Sequence, residues 1–215
     1  MIQEIVNFAA TCGPARNQHR RGTCLAFASS DFNRHANNGD QPLSVDFLAH
    51  HAIKHMPDWK AGDGLSVSAA IAALHQPGQP KEEAYAYDPQ DQGRPLLPVP
   101  AGIDELFKLF TSVASRRRLT PDQIEATIKS GKPVSLVLAL SKSFFKPDGG
   151  IVAYATDYVP QALHAVLCVG LGTHSKANET HVLIRNSWGE AWGRSGHAWL
   201  PAQYLHTHLV DSFAL

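Results

Sequence analysis

The chain has 215 residues, 44% hydrophobic and 18% charged, which fits one large domain or two small lobes and excludes an intrinsically disordered chain. Nineteen basic and nineteen acidic residues cancel, so no basic footprint marks general nucleic-acid binding, and no apolar run is long enough to cross a bilayer. Three cysteines, Cys12, Cys24 and Cys168, are too few and odd in number for a disulfide framework.

Residues 2–8 read as a short strand or extended arm. The first residues lack a basic, apolar, small-residue signal pattern, so a cytoplasmic location is expected unless a longer precursor was trimmed. Residues 11–23 form a loop in which Cys12, in a Thr-Cys-Gly-Pro turn, reads as structural or incidental. Cys24 follows Gln18 by six positions and Gly22 by two, and opens a helix reaching about Asn37: Leu25, Ala26, Phe27 and Ala28 form its start, and Phe32 and Ala36 continue one apolar face at helical spacing. Gly22 and Thr23 suit a turn and a cap. A thiol in the first helical turn meets unpaired N–H groups that favour negative charge, which pushes it toward the attacking thiolate. A buried structural cysteine fits this stretch as well.

Asn38-Gly39-Asp40 ends that helix, and Ser44 caps a second one with Val45, Phe47, Leu48, Ala52 and Ile53 on its apolar side, stopped by Met56-Pro57. His51 and His55 are four apart on it, with His50 adjacent, but zinc needs three or four ligands, so no metal is expected. A glycine-rich turn over 62–66 leads to a third helix over 67–74. Residues 77–100, with Pro89, Pro95, Pro98 and Pro100, read as a loop-rich crossing. Arg116-Arg117-Arg118, the only basic cluster, reads as solvated surface. Thr120-Pro121-Asp122-Gln123 starts another helix and Gly131-Lys132-Pro133 ends it. The period then changes to short apolar runs at 134–140, 151–155, 164–172, 181–187, 197–200 and 208–213, which suit an antiparallel sheet or small barrel. Cys168 falls in the core of one run, and His206-Thr207-His208 reads as surface. Helices first and strands after make an α+β protein.

Two late segments bear on Cys24. His164 opens the run Leu163-His164-Ala165-Val166, and Asn186 lies in Asn186-Ser187-Trp188-Gly189-Glu190-Ala191-Trp192-Gly193. Cysteine, histidine and asparagine in that order suit a nucleophile, its base and a group that orients the base. Taken singly, His164 suits a satisfied strand histidine, Asn186 a turn, Trp188 a core position and Gln18 a loop.

Together the three segments resemble the papain-like cysteine proteases, whose pattern is a glutamine, Gly-x-Cys with Ala-Phe after it, His-Ala-Val leading to Val-Gly-x-Gly, and Asn-Ser-Trp-Gly-x-x-Trp-Gly. The likeness extends to Tyr85-Ala86-Tyr87, residues 133–138, Gly149-Gly150-Ile151 and Gly196. It implies one peptidase domain over 1–215 with a papain-like two-lobed α+β fold. The helical lobe is expected over 20–100 and the β lobe over 101–215 with the arm 1–19, the active site lying in the cleft between them. It implies Cys24 as nucleophile, His164 as base in a resting thiolate–imidazolium pair, Asn186 as its orienting group and Gln18 as an oxyanion donor. Trp188 would shield the His164–Asn186 bond. Gly64 and Leu65 would meet an extended substrate through the backbone, and Val137 and Leu163 would make an apolar pocket for the second residue upstream of the cut.

No cofactor is implied, and the expected partner is a peptide or protein substrate. Arg21 stands where secreted members carry a disulfide-forming cysteine, which supports a reducing compartment, and Leu25 stands where the family has an aromatic residue. These 215 residues contain no inhibitory propeptide; if they are the whole gene product, restraint would come from narrow specificity, a restricted cleft, or a regulatory or inhibitor partner, and such a form looks bacterial. The same catalytic set would also serve a peptide ligase or deamidase, and a non-catalytic papain-fold binding module is the remaining alternative.

Overall fold

In the computed structural model, which describes residues 1–90, 99–176 and 178–215, strand β1 (Ile2–Asn7) precedes three helices, α1 (Cys24–Ala36), α2 (Val45–Ile53) and α3 (Val67–His75). A single helical turn, α4 (Ile103–Leu106), and a two-residue strand, β2 (Ser115–Arg116), lead to α5 (Pro121–Lys129). The remainder is β3 (Val134–Ala139), β4 (Leu163–His174), β5 (Glu179–Arg185), β6 (His197–Pro201), α6 (Ala202–His208) and β7 (Leu209–Ala214). Pro95 and Pro98 of the expected crossing lie outside the described residues.

Local chemistry accounts for three of the six α-helix starts among the described residues. Ser44 and Ser66 each accept a backbone N–H three residues on, and Thr120 and Gln123 form a reciprocal capping box with Pro121 just inside it. Thr23 is different: its hydroxyl makes no cap bond to α1 but meets the Tyr87 hydroxyl at 3.0 Å.

The strands form an antiparallel sheet in the order β2-β7-β3-β4-β5-β6, with β1 also pairing with β4. β4 is the long central strand. β3 covers its first half and β1 its second, Asn7 lying opposite Gly170. A side chain at Gly170 would put Cβ 2.6 Å from the Val6 carbonyl, so this close approach requires glycine.

Alternation along β4 divides the interior in two. Ala165, Leu167 and Val169 pack toward α1, α2 and α3, while Val166 and Cys168 pack on the other face with Ile124, Phe144 and Tyr204. A register shift between Cys168 and Gly170 moves Leu171 onto that second face.

Two sequence expectations are corrected. The run at 151–155 is not a strand: Ile151 makes only isolated bridges to Asp148 and Trp199, because the left-handed pair Gly149-Gly150 folds the chain back there. His208 is not surface. It ends the short helix α6 fully buried, both ring nitrogens within 2.8 Å of backbone carbonyls, those of Ala139 and Ala155. Seven helical residues between two strands leave too little periodicity to be seen in the sequence.

Candidate active site

Cys24 is the first residue of α1, and its side chain packs where that helix meets β4. The backbone N–H groups of Ala165, one residue beyond His164, of Leu25 and of Cys24 itself act to lower the thiol pKa. Burial pushes the Cys24 thiol up, against these donors. Burial also pushes the His164 imidazole down to about 4, opposed by its bond to Asn186. Neither isolated charge is favoured here, which departs from a thiol driven to thiolate by the helix end alone. A thiolate–imidazolium state must draw on the mutual attraction of its two halves.

His164 and Asn186 are brought together by the start of β4 and the end of β5, with Nε2 of the ring 2.7 Å from Asn186 Oδ1. The Ser187 N–H also points at that oxygen, at 2.8 Å. A backbone N–H can only donate, so the amide must present its oxygen, and His164 Nε2 must carry the hydrogen. Nδ1 is left as the nitrogen that gains and loses a proton. The orientation leaves Asn186 Nδ2 buried with no partner among the described residues.

Trp188 lies over the imidazole, ring centroids 4.6 Å apart, and Phe145 stacks on Trp188 at 5.4 Å. The buried His164–Asn186 bond is therefore screened from water, which strengthens it.

The segment before Cys24 is joined to the segment after Asn186. Gln18 N donates to Ser187 O (2.8 Å), Gly189 N donates to Arg16 O (3.1 Å), and Asn17 bridges Trp188. The Gln18 side chain is fixed at both ends: Oε1 accepts from Ser187 Oγ at 2.6 Å and Nε2 donates to Arg21 O at 2.7 Å. An amide nitrogen has two hydrogens, so one remains for another acceptor.

The other expected residues fall around this set. Gly64 lies opposite Gly22, whose carbonyl oxygen would be 3.8 Å from a Cβ on Gly64. Leu65 and Val137 are half-buried against the same apolar cluster as Cys24. Leu163 is 59% exposed at the start of β4. Among the described residues no group of three histidine, cysteine or acidic side chains could hold a metal ion, and no helix is long and apolar enough to cross a membrane.

Sequence reasoning missed Ser187 as the holder of Gln18, and it missed a buried charge network. Arg185 Nε meets Asp31 Oδ2 at 2.6 Å, Arg16 meets the other oxygen at 2.9 Å, and Arg16 continues to Glu82. Arg185 also binds the carbonyls of Cys12, Gly13 and Pro14. An aspartate within the buried run of α1 and an arginine closing an apolar strand were the available signal, since buried charges come paired. Arg21 is likewise in an ion pair, with Asp46, and all three cysteines are free.

A sequence model of the papain family of cysteine proteases matches residues 7–208. Curated relatives include digestive cysteine proteinase 3 of Homarus americanus, 24% identical over 192 residues (86% of this chain, 56% of that one). Cathepsin K of Mus musculus is 26% identical over 205 residues (87% and 55%). The chain thus spans about half the length of these relatives. Among solved structures, xylellain, a cysteine protease from Xylella fastidiosa, superposes with a TM-score of 0.75 at 19% identity, covering 99% of this chain and 90% of that one. A Carica candamarcensis cysteine protease in complex with E-64 superposes at 0.70 with 24% identity, covering 95% and 92%.

Proposed function

Because the chain belongs to the papain family of cysteine proteases, we propose that it is a cysteine peptidase that cuts peptide bonds with Cys24, His164, Asn186 and Gln18. The observation that carries this reading is the His164–Asn186–Ser187 arrangement, which fixes the tautomer and leaves Nδ1 for proton transfer.

In the proposed cycle the Cys24 S–H proton passes to His164 Nδ1 as sulfur attacks the peptide carbonyl carbon. The carbonyl π pair moves to oxygen, where the Cys24 N–H and the second Gln18 Nε2 hydrogen receive it. The C–N bond then breaks, its electrons stay with nitrogen, and His164 protonates the departing amine. Water, giving its proton to the now neutral His164, attacks the thioester; the acid leaves and Cys24 recovers its proton. Asn186 holds the ring through both proton transfers. The substrate is an extended peptide or protein segment, and the free cysteines suit a reducing compartment such as the cytoplasm.

The test is labelling with an epoxide thiol probe of the E-64 type, in the wild type and in Cys24→Ala, beside turnover of a peptide amide. Labelling and turnover are expected in the wild type and neither in the variant. Labelling that persists in Cys24→Ala would move the nucleophile elsewhere. Wild-type protein that neither labels nor turns over would leave a binding role.

A further inference from the structure

The turn that carries Gln18 is unusual in what holds it. His19, a non-glycine residue, sits in the left-handed region at φ 52°, a conformation that persists only where the surroundings over-determine it. The surroundings here are Arg21 and Tyr87. Gln18 O accepts from Arg21 N at 3.2 Å and from the Tyr87 hydroxyl at 2.8 Å. Having given its one hydrogen to Gln18 O, the Tyr87 oxygen accepts from Thr23 Oγ1 at 3.0 Å. One phenol therefore ties the carbonyl of Gln18 to the residue before Cys24.

Arg21 supplies the carbonyl on which Gln18 Nε2 rests. Its own side chain is buried, donating to Asp46 Oδ2 and to Asp88 O, both at 2.9 Å, with its guanidinium carbon 4.5 Å from the centre of the Tyr87 ring. Asp46 also accepts the Asp88 N–H, and Glu82 accepts the Tyr87 N–H. The clamp is thus anchored on α2 and on the 82–88 segment, away from the reacting atoms.

We propose that Arg21 and Tyr87 are positioning residues for the oxyanion donor, holding the Gln18 amide where its second hydrogen meets the developing negative charge. They touch neither substrate nor sulfur; their effect passes through Gln18. This rests on the peptidase reading above.

Tyr87→Phe removes the two hydroxyl bonds and keeps the ring under Arg21. It should lower kcat about tenfold with KM unchanged, a smaller loss than the roughly 10²–10³ of removing an oxyanion donor outright. Affinity for a peptide aldehyde, whose adduct places an oxygen in the same site, should fall by a similar factor. Alkylation of Cys24 by iodoacetamide forms a C–S bond without an oxyanion and should keep its rate. In a Gln18→Ala background Tyr87→Phe should cost nothing further. Arg21→Met should behave like Tyr87→Phe, and Arg21→Lys, which keeps a cation against Asp46, should recover part of the loss.

Equal losses of kcat and alkylation rate, an undiminished effect in the Gln18→Ala background, or full kcat in folded Tyr87→Phe would each overturn the clamp. If the wild type alkylates but cuts no peptide, the peptidase reading fails. The clamp is then read from the Gln18 side-chain amide NMR signals, which should shift in Tyr87→Phe and whose constancy would overturn it.

Discussion

At Cys24, burial raises the thiol while the backbone N–H groups of Ala165, Leu25 and Cys24 lower it, and burial wins. At His164 the same burial keeps the ring neutral down to about 4. Opposite charges placed side by side favour one another, so each group should titrate differently when its neighbour is removed. In Cys24→Ala the His164 ring has no thiolate to meet. Its NMR titration midpoint should lie well below the ordinary value of about 6.5, and in the wild type it should lie higher. Identical midpoints would mean that the two groups do not share a proton.

The sign carries over to stability. In Cys24→Ala the unfolded ring takes up a proton below about 6.5 that the folded ring refuses, so stability should be full above that pH and decline as pH falls toward about 4.

Elements are coupled by the Arg185–Asp31 pair, which ties the end of β5, one residue before Asn186, to α1, seven residues after Cys24. Both side chains are almost wholly buried, 1% and 7% exposed. Burial works to raise Asp31, but Arg185 and Arg16 hold it below its usual value. Its contribution is therefore present above the ordinary carboxylate range and is lost only as pH drops through the lower folded value. Asp31→Asn leaves Arg185 charged and short of a partner, a change that typically costs about 3–5 kcal/mol. Arg185→Met should cost at least as much, because the carbonyls of Cys12, Gly13 and Pro14 lose their donor as well. Denaturant unfolding of both single variants and the double variant measures the coupling. A double variant whose loss equals the sum of the singles would show that the pair does not act as a unit.

Across the whole molecule, the sheet is the shared wall of two apolar clusters, since alternate residues of β4 serve one and then the other. Melting either side exposes residues on strands that support the other. Unfolding should therefore be a single transition. The midpoints from tryptophan fluorescence, to which Trp188, Trp192 and Trp199 contribute from the sheet part and Trp59 from between α2 and α3, should coincide with those from far-UV circular dichroism, to which α1, α2 and α3 contribute. Two separated midpoints would show that the helical part and the sheet fold independently. The candidate site draws on both parts, because Cys24 comes from a helix while His164 and Asn186 come from the strand region.

The α+β class and the papain-like likeness were legible in the chain, and so were Cys24, His164, Asn186, Gln18 and Trp188 as candidates for the site. Helix periodicity, strand alternation and cap residues are local signals, and the three motifs are contiguous stretches. What lay beyond the sequence was pairing between distant segments. Nothing near Gln18 indicates that Ser187 and Arg21 fix its amide, nothing near Arg185 names Asp31, and His208 looks solvated until Ala139 and Ala155 close on it. The proton balance of the thiol and the ring belongs to the same class. It depends on how much water the fold removes from around each group, and desolvation is a property of the assembled interior that no single stretch of residues carries.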